Sequence, residues 1–375
     1  MNDSLRALFP VTERAIYLNH AAVSAPPAST IHAIQAQLAD VSENGSINFR
    51  KWLAVKESAR QLVAGMLGAA RPDQVAFMRN TSDGLSTVAN GIDWRPGDNL
   101  VTFRHEFPSN LYPWLRLRDA RGVEVRVSEE RDGRVDIDEL IRLIDARTRI
   151  VAISQVQYAS GFRADLERIG RVARYHDALF VVDVIQALGV VPIDVEAELV
   201  DVAAAACHKW LLTPEGVGLL YLSARARERI QPTLVGWTSV PNPDDYGNYE
   251  QGWNQGTLAW ETGTAPIALI HGLEASLRLL NEAGITEIQG HLETLTDHLC
   301  ELLKNTDYHV VSSRRAGEKS QIVCIQHTVG LSSMDLYSHL KNQNIITAPR
   351  GDRLRISPHF YNTVEEIDAL VEALP

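Results

Sequence analysis

From about residue 50 to residue 225 the chain alternates short apolar runs with longer segments whose apolar residues recur at helical spacing. The runs QVAFM, NLVTFRH, VEVRVS, RIVAISQVQ, ALFVVDVIQ, DVAAAA and VGLLYLS are rich in β-branched or small residues and predict strands. The segments SDGLSTVANGI, NLYPWLRLRDAR, DIDELIRLIDAR and DLERIGRVARYHD predict helices; in the last, Leu166, Ile169, Val172 and Ala173 keep the helical spacing. RIVAIS and LFVVDV are apolar almost without a break, as strands covered on both faces must be. Strand and helix in alternation therefore predict an α/β fold on a mainly parallel, seven-stranded sheet with helices on both sides.

After Ser223 the pattern changes. VGWTSVPNPDDYGNYEQGWNQGTLAWETGT is rich in Gly, Pro, Asn and Trp and has little periodicity, so it reads as a long structured connection. Two helical patterns follow, PIALIHGLEASLRLLNEAG and ITEIQGHLETLTDHLCELLKN. The short strands HVVSS, QIVCIQH and RLRIS and the helices MDLYSHLKNQ and VEEIDALVEAL then predict a small α+β domain. We expect a large domain over residues 21–265 and a smaller one from residues 1–20 and 266–375. No repeat, low-complexity tract or flexible linker separates them.

Composition narrows the function classes. The 375 residues are 45% hydrophobic, enough for a sizeable core, and 36 basic against 47 acidic residues give a net charge of −11 without a long run of either sign. That argues against a nucleic-acid or anionic-membrane partner and for an ordinary soluble surface. Three cysteines, Cys207, Cys300 and Cys324, are too few and too irregularly spaced for a disulfide framework or a zinc cluster, which points to the reducing cytoplasm. The N-terminal segment has no apolar secretory core, and no stretch reaches the roughly 18 apolar residues of a membrane span.

Three features fall where predicted strands end, the ligand-binding edge of an open α/β sheet. RNTSDGL, residues 79–85, carries Asn80, Thr81, Ser82, Asp83 and Gly84 from a strand into a helix, an arrangement that serves as a phosphate cradle or as a plain helix cap. Asp183 closes the apolar run LFVVD; a carboxylate there needs a cationic or N–H partner, from a ligand or from a structural ion pair. Gln186, three residues on, can face the same ligand. Lys209 follows DVAAAACH; a lysine in such a place either snorkels to water or is a desolvated, nucleophilic amine suited to Schiff-base chemistry. An anchor for phosphate, a partner for a pyridinium nitrogen and a Schiff-base lysine, in that order, are what pyridoxal phosphate requires.

The same residues resemble the class V aminotransferases of pyridoxal-phosphate fold type I, which include cysteine desulfurases, selenocysteine lyases, C–S lyases and isopenicillin-N-epimerase-like proteins. VVDVIQALG is similar to their aspartate–glutamine motif and CHKWLLTPEGVGLLYL to their lysine motif. WETGT resembles a loop whose Thr reaches a phosphate across a homodimer, and RLRISPHFYNTVEEIDALVEAL a C-terminal arginine motif. The resemblance implies Lys209 as the Schiff-base and proton-shuttling residue, Asp183 on the ring nitrogen and Gln186 on the ring hydroxyl. It implies Thr81, Ser82 and His208 on the phosphate, with Thr264 from a partner subunit. Arg355 would hold the substrate carboxylate, Arg350 is a second candidate for that pocket, and Asn19 and His20 would line the substrate side.

The departures from the family pattern bear on the reaction. Phe107 stands where desulfurases stack a histidine on the ring, and Tyr158 where they place an asparagine. Ala206 replaces a frequent phosphate-binding serine, and NIITAPRGDRLRIS lacks the cysteine that takes up sulfur as a persulfide. The resemblance therefore implies an enzyme acting at Cα of an α-amino acid, a C–S lyase or transaminase and not a persulfide-forming desulfurase. An epimerase is the alternative, and would need a second acid from Tyr158 or His20. A binding protein that kept the fold but lost the chemistry is the reading from another class; the joint presence of Lys209, Asp183 and Arg355 weighs against it.

Overall fold

The computed structural model describes residues 3–375. Residues 1 and 2, part of the N-terminal segment expected to join the C-terminal unit, lie outside the described residues. The large sheet contains seven strands: β1 (Val75–Met78), β2 (Asn99–Phe103), β3 (Glu124–Ser128), β4 (Thr148–Ser154), β5 (Leu179–Asp183), β6 (Val202–Ala206) and β7 (Gly218–Leu222). Their spatial order is β1-β7-β6-β5-β4-β2-β3. Neighbours are parallel except at β7, which runs antiparallel to both β1 and β6. The expected mainly parallel α/β sheet of fold type I is the one found.

Burial follows the apolar pattern. β1, β2, β5, β6 and β7 are buried at every position, whereas the edge strand β3, with its charged EVRVS sequence, is half exposed. Along β5 the side chains alternate between two cores: Phe180 and Val182 join one, Leu179 and Val181 the other. The first core takes apolar faces of α2 (Phe49–Leu67), which follows α1 (Ala28–Asn44). The second takes Leu85 and Val88 of α3 (Thr81–Gly91) and Trp114 and Leu117 of α4 (Tyr112–Arg121). Helix α5 (Leu166–Tyr175) returns to the first core through Ile169 and Ala173. So does α6 (Ile267–Ala283), which lies beyond residue 265 yet buries Ile270, Leu273 and Leu277 there, beside α1 and α2. Packing thus runs continuously across residue 265.

Beyond α6 come α7 (Ile285–Leu302), β8 (Tyr308–Val310), β9 (Val323–His327), α8 (Ser333–Lys341), β10 (Ala348–Arg350), β11 (Arg353–Ile356) and α9 (Val364–Glu372). The four strands form an antiparallel sheet in the order β8-β9-β11-β10. This sheet has its own core, in which Leu18 joins Leu295, Ile325, Leu354 and Ile367. The N-terminal pair Ile16–Tyr17 runs parallel to Ile345–Ile346, and Asn19 bridges to Ser357, so the N-terminal segment lies beside β11. Among the described residues no helix is long and apolar enough to cross a membrane.

Candidate active site

Because β1, β2, β4, β5 and β6 share one direction, the segments leaving their C-terminal ends converge. All five, with β10, β11 and the N-terminal segment, enclose a cavity of about 350 Å³. Lys209, three residues past β6, reaches into it and is 6% exposed. Its Nζ stands 5.3 Å from the centre of the Phe107 ring. Phe107 in turn meets Tyr158 edge to face at 5.2 Å, so these two rings wall the amine on one side. Burial pulls the Lys209 ammonium below its usual range; Asp183 opposes that, while Arg355 and Arg350 add to it.

At the end of β1 the backbone turns into α3. Asn80 caps this helix, its side-chain oxygen accepting from Asp83 N at 2.9 Å. The cap leaves Thr81 free of that duty, and Thr81 Oγ1 is buried in the structure without a partner. The close approach depends on Gly218: a Cβ there would stand 2.8 Å from Asn80 Cα, pushing the helix start off β7. Ser82 shares a 2.7 Å hydrogen bond with Ser109, and both line the cavity. His208 closes the same end beside Ala206.

Asp183 ends β5 at 1% exposure. One carboxylate oxygen accepts from Ile185 N at 3.0 Å, and Oδ2 is buried with no donor. Burial raises its proton affinity against that hydrogen bond and the charge of Lys209. Beside it lies Glu106, which sequence reasoning missed. Glu106 accepts from Ser154 N at 2.6 Å, Ser154 Oγ at 2.5 Å and Gln157 Nε2 at 2.9 Å, and Ser154 is the register partner of Asp183. Despite these bonds, burial with a further push from Asp183 holds its carboxyl at about 7.

On the opposite side Arg355 is 1% exposed, donates Nη1 to Tyr158 O at 3.0 Å and leaves Nε buried without an acceptor. Its Nη2 lies 3.5 Å from Asn19 Oδ1, which ties the N-terminal segment to the cavity. Arg350 lines the same space. Burial, then the charge of Arg350, lowers Arg355 to about 9.

Asp183, Asn19, Gln186, His20 and Thr264 do not line this cavity. Gln186 spends its amide elsewhere, donating to Ala21 O at 3.0 Å and accepting from Trp210 Nε1 at 2.8 Å. It therefore fixes the wall on which Ala21 sits. His20 is fully buried, with its ring nitrogens 2.9 Å from Ser357 O and 2.7 Å from Tyr361 Oη. Burial, against the Ser357 carbonyl, lowers its pKa to about 3, so it is neutral. Thr264 lines a separate cleft with Arg79 and Asp83.

The residues present fit pyridoxal phosphate. Asp183 Oδ2 is a buried acceptor awaiting a donor, Thr81 Oγ1 is a buried hydroxyl without a partner at a helix start, and the amine of Lys209, last of the three in chain order, feels the charge of Asp183. An orphaned buried polar atom costs about 1–3 kcal/mol, so Thr81 Oγ1 in the cavity lining and Asp183 Oδ2 within reach of the Lys209 charge mark a ligand's contacts.

A sequence profile for the family described as aminotransferase class-V matches residues 16–370. A probable cysteine desulfurase of Methanothermobacter thermautotrophicus is 30% identical, over 99% of this chain and 97% of its own length. An uncharacterized aminotransferase of Bacillus subtilis, YcbU, is 26% identical over 99% of this chain and 97% of its own. Among solved structures, the cysteine desulfurase CsdA of Escherichia coli superposes with a TM-score of 0.89 at 25% identity, covering 100% of this chain and 97% of that one.

Proposed function

This chain belongs to the class V aminotransferase family and is a pyridoxal-phosphate-dependent enzyme, and on that premise we propose that it is a C–S lyase, eliminating sulfur from Cβ of an α-amino acid without a protein persulfide. The name of the Methanothermobacter relative supplies the C–S chemistry. The observation that carries the reading is Lys209 itself, an amine walled by the Phe107 ring, which has no titratable group, in a cavity that Arg355 borders and no thiol lines. Cys207 and Cys324 are buried, Cys300 lies on α7, and burial raises all three thiols, which makes them poor nucleophiles.

When bound, pyridoxal phosphate supplies an electron sink for negative charge at Cα. The chain's own groups do the rest. Thr81, Ser82, His208 and the free N–H groups of α3 would hold its phosphate; Asp183 Oδ2 would accept from its ring N–H; Phe107 and Tyr158 would pack against it and exclude water. Arg355 holds the substrate carboxylate through its planar fork. Lys209 Nζ removes the Cα proton, the C–S electron pair leaves on sulfur, and the balance is thioether amino acid plus water giving thiol, 2-oxo acid and ammonium. Thr264 is proposed to reach the phosphate of a second copy in a homodimer.

The relative named as an aminotransferase favours transamination as the second reading. Epimerisation loses one of its two candidate acids, since His20 is sealed and neutral. Holoenzyme incubated with cysteine thioethers is expected to release pyruvate, ammonia and thiol in equal amounts. Alanine formed with sulfur retained on the protein would overturn the lyase reading, and oxo acid without ammonia would replace it with transamination.

A further inference from the structure

Three arginines share one face of the β10–β11 hairpin, and one of them is neutralised. Arg350 opposes Arg353 in the antiparallel register and Arg355 lies two residues beyond Arg353, so all three side chains leave the same side. Arg353 pairs with Glu130 at 2.8 Å. Arg350 and Arg355 have no ion-pair partner among the described residues, although both line the cavity that holds Lys209. Arg350 donates Nη1 to Pro349 O at 2.7 Å, a neutral acceptor. Two guanidiniums, Arg355 buried and Arg350 half-buried, repel each other and lack a counter-charge from the protein.

Loading the site leaves one of them over. Phosphate goes to the start of α3, the ring nitrogen to Asp183, and the substrate carboxylate to Arg355. Arg350 still faces the cavity with a full positive charge. Resting on the reading of this site as one that acts on an α-amino acid, we infer that the substrate carries a second acidic group on its side chain and that Arg350 recognises it. A cavity of about 350 Å³ lies at the small end of ligand sites, so that acid sits on a short side chain. A charge-assisted hydrogen bond there discriminates against a neutral isostere by about 10- to 100-fold.

The test compares S-carboxymethyl-L-cysteine with S-carbamoylmethyl-L-cysteine, an acid and its near-isosteric amide, on the holoenzyme. Binding is read by titrating the cofactor absorbance and turnover by pyruvate release. The acid is expected to bind at least about 10-fold tighter, and Arg350→Gln to bring the acid-to-amide ratio close to one, with Arg350→Lys restoring part of it. Tighter binding of the acid without pyruvate from either compound would support this inference while removing the lyase reading. Equal binding and equal turnover would overturn the inference and leave the lyase reading standing. An Arg350→Gln enzyme that keeps the acid preference but binds pyridoxal phosphate more weakly would also overturn it, by assigning Arg350 to the cofactor.

Discussion

The molecule buries two clusters of charge, one around Glu261 and one around Lys209, and they are built on opposite principles. Around Glu261 every strong group is answered. Its Oε1 accepts from Arg60 Nη1 at 2.8 Å and Phe77 N at 2.9 Å, and its Oε2 pairs with Lys56 Nζ at 2.5 Å. Arg60, 2% exposed, also donates to Val75 O and to Glu57. Against the upward push of burial, Arg60 and Lys56 hold the Glu261 carboxyl below its usual range. Around Lys209 the burial is similar, with Asp183 and Arg355 at 1% exposure, but Asp183 Oδ2, Thr81 Oγ1 and Arg355 Nε have no partner. There burial prevails over pairing, and Asp183 and Lys209 both shift toward their neutral forms. Saturation, not burial, separates a charge cluster that holds the fold from one that awaits a ligand.

The sharpest way to break this contrast is to remove the central residue of each cluster. Lys209→Ala is expected to lower turnover by at least about 1,000-fold, as loss of the base that takes the Cα proton should. It should leave the melting temperature of cofactor-free protein close to wild type, because the lost attraction to Asp183 is offset by relief of the repulsion from Arg355 and Arg350 and of the cost of burying the ammonium. A variant that keeps more than a tenth of the activity, or that unfolds well below wild type, would contradict the assignment. Glu261→Ala leaves the buried Arg60 and the half-buried Lys56 without their shared carboxylate and is expected to cost about 3–5 kcal/mol in urea unfolding. A loss below 1 kcal/mol would mean that the cluster contributes nothing beyond a solvent-exposed pair.

The two clusters also differ in how far the sequence disclosed them. Lys209, Asp183 and Thr81 were legible because each breaks an apolar run at a strand end, and chain order alone brings strand ends together in a parallel sheet. The reversed direction of β7 was not legible, since a buried strand's period carries no direction. Gln186 and His20 were drawn toward the cavity by their neighbours in the chain, yet their partners, Ala21, Trp210, Ser357 and Tyr361, lie up to 341 residues away. Glu261 sits in a segment that looked like an aperiodic connection, so nothing local announced its bonds to α2. Glu106 was hidden for a related reason. One residue before Phe107 in RHEFPSN it looks like a loop acid, and only the pairing of β4 with β5 sets it against Asp183.

Glu106 gives the smallest expected effect and the finest test, because it shares features of both clusters: its oxygens are saturated, yet its carboxyl is held at about 7. In the unfolded chain a glutamate releases its proton near pH 4.5, so between about 4.5 and 7 the folded protein binds a proton that the unfolded chain has lost. Stability must then fall as pH rises through that window, by up to about 3 kcal/mol from this group. Glu106→Gln carries no titrating proton and misplaces one hydrogen-bond donor, a cost that does not vary with pH. The difference in unfolding free energy between cofactor-free wild type and variant, measured in urea at pH 5, 6, 7 and 8, is therefore expected to shrink as pH rises and then level off above 7. A difference that is constant across the series would show that Glu106 is ionised in the folded protein throughout, and would place it with Glu261 as a carboxylate whose charge is fully compensated.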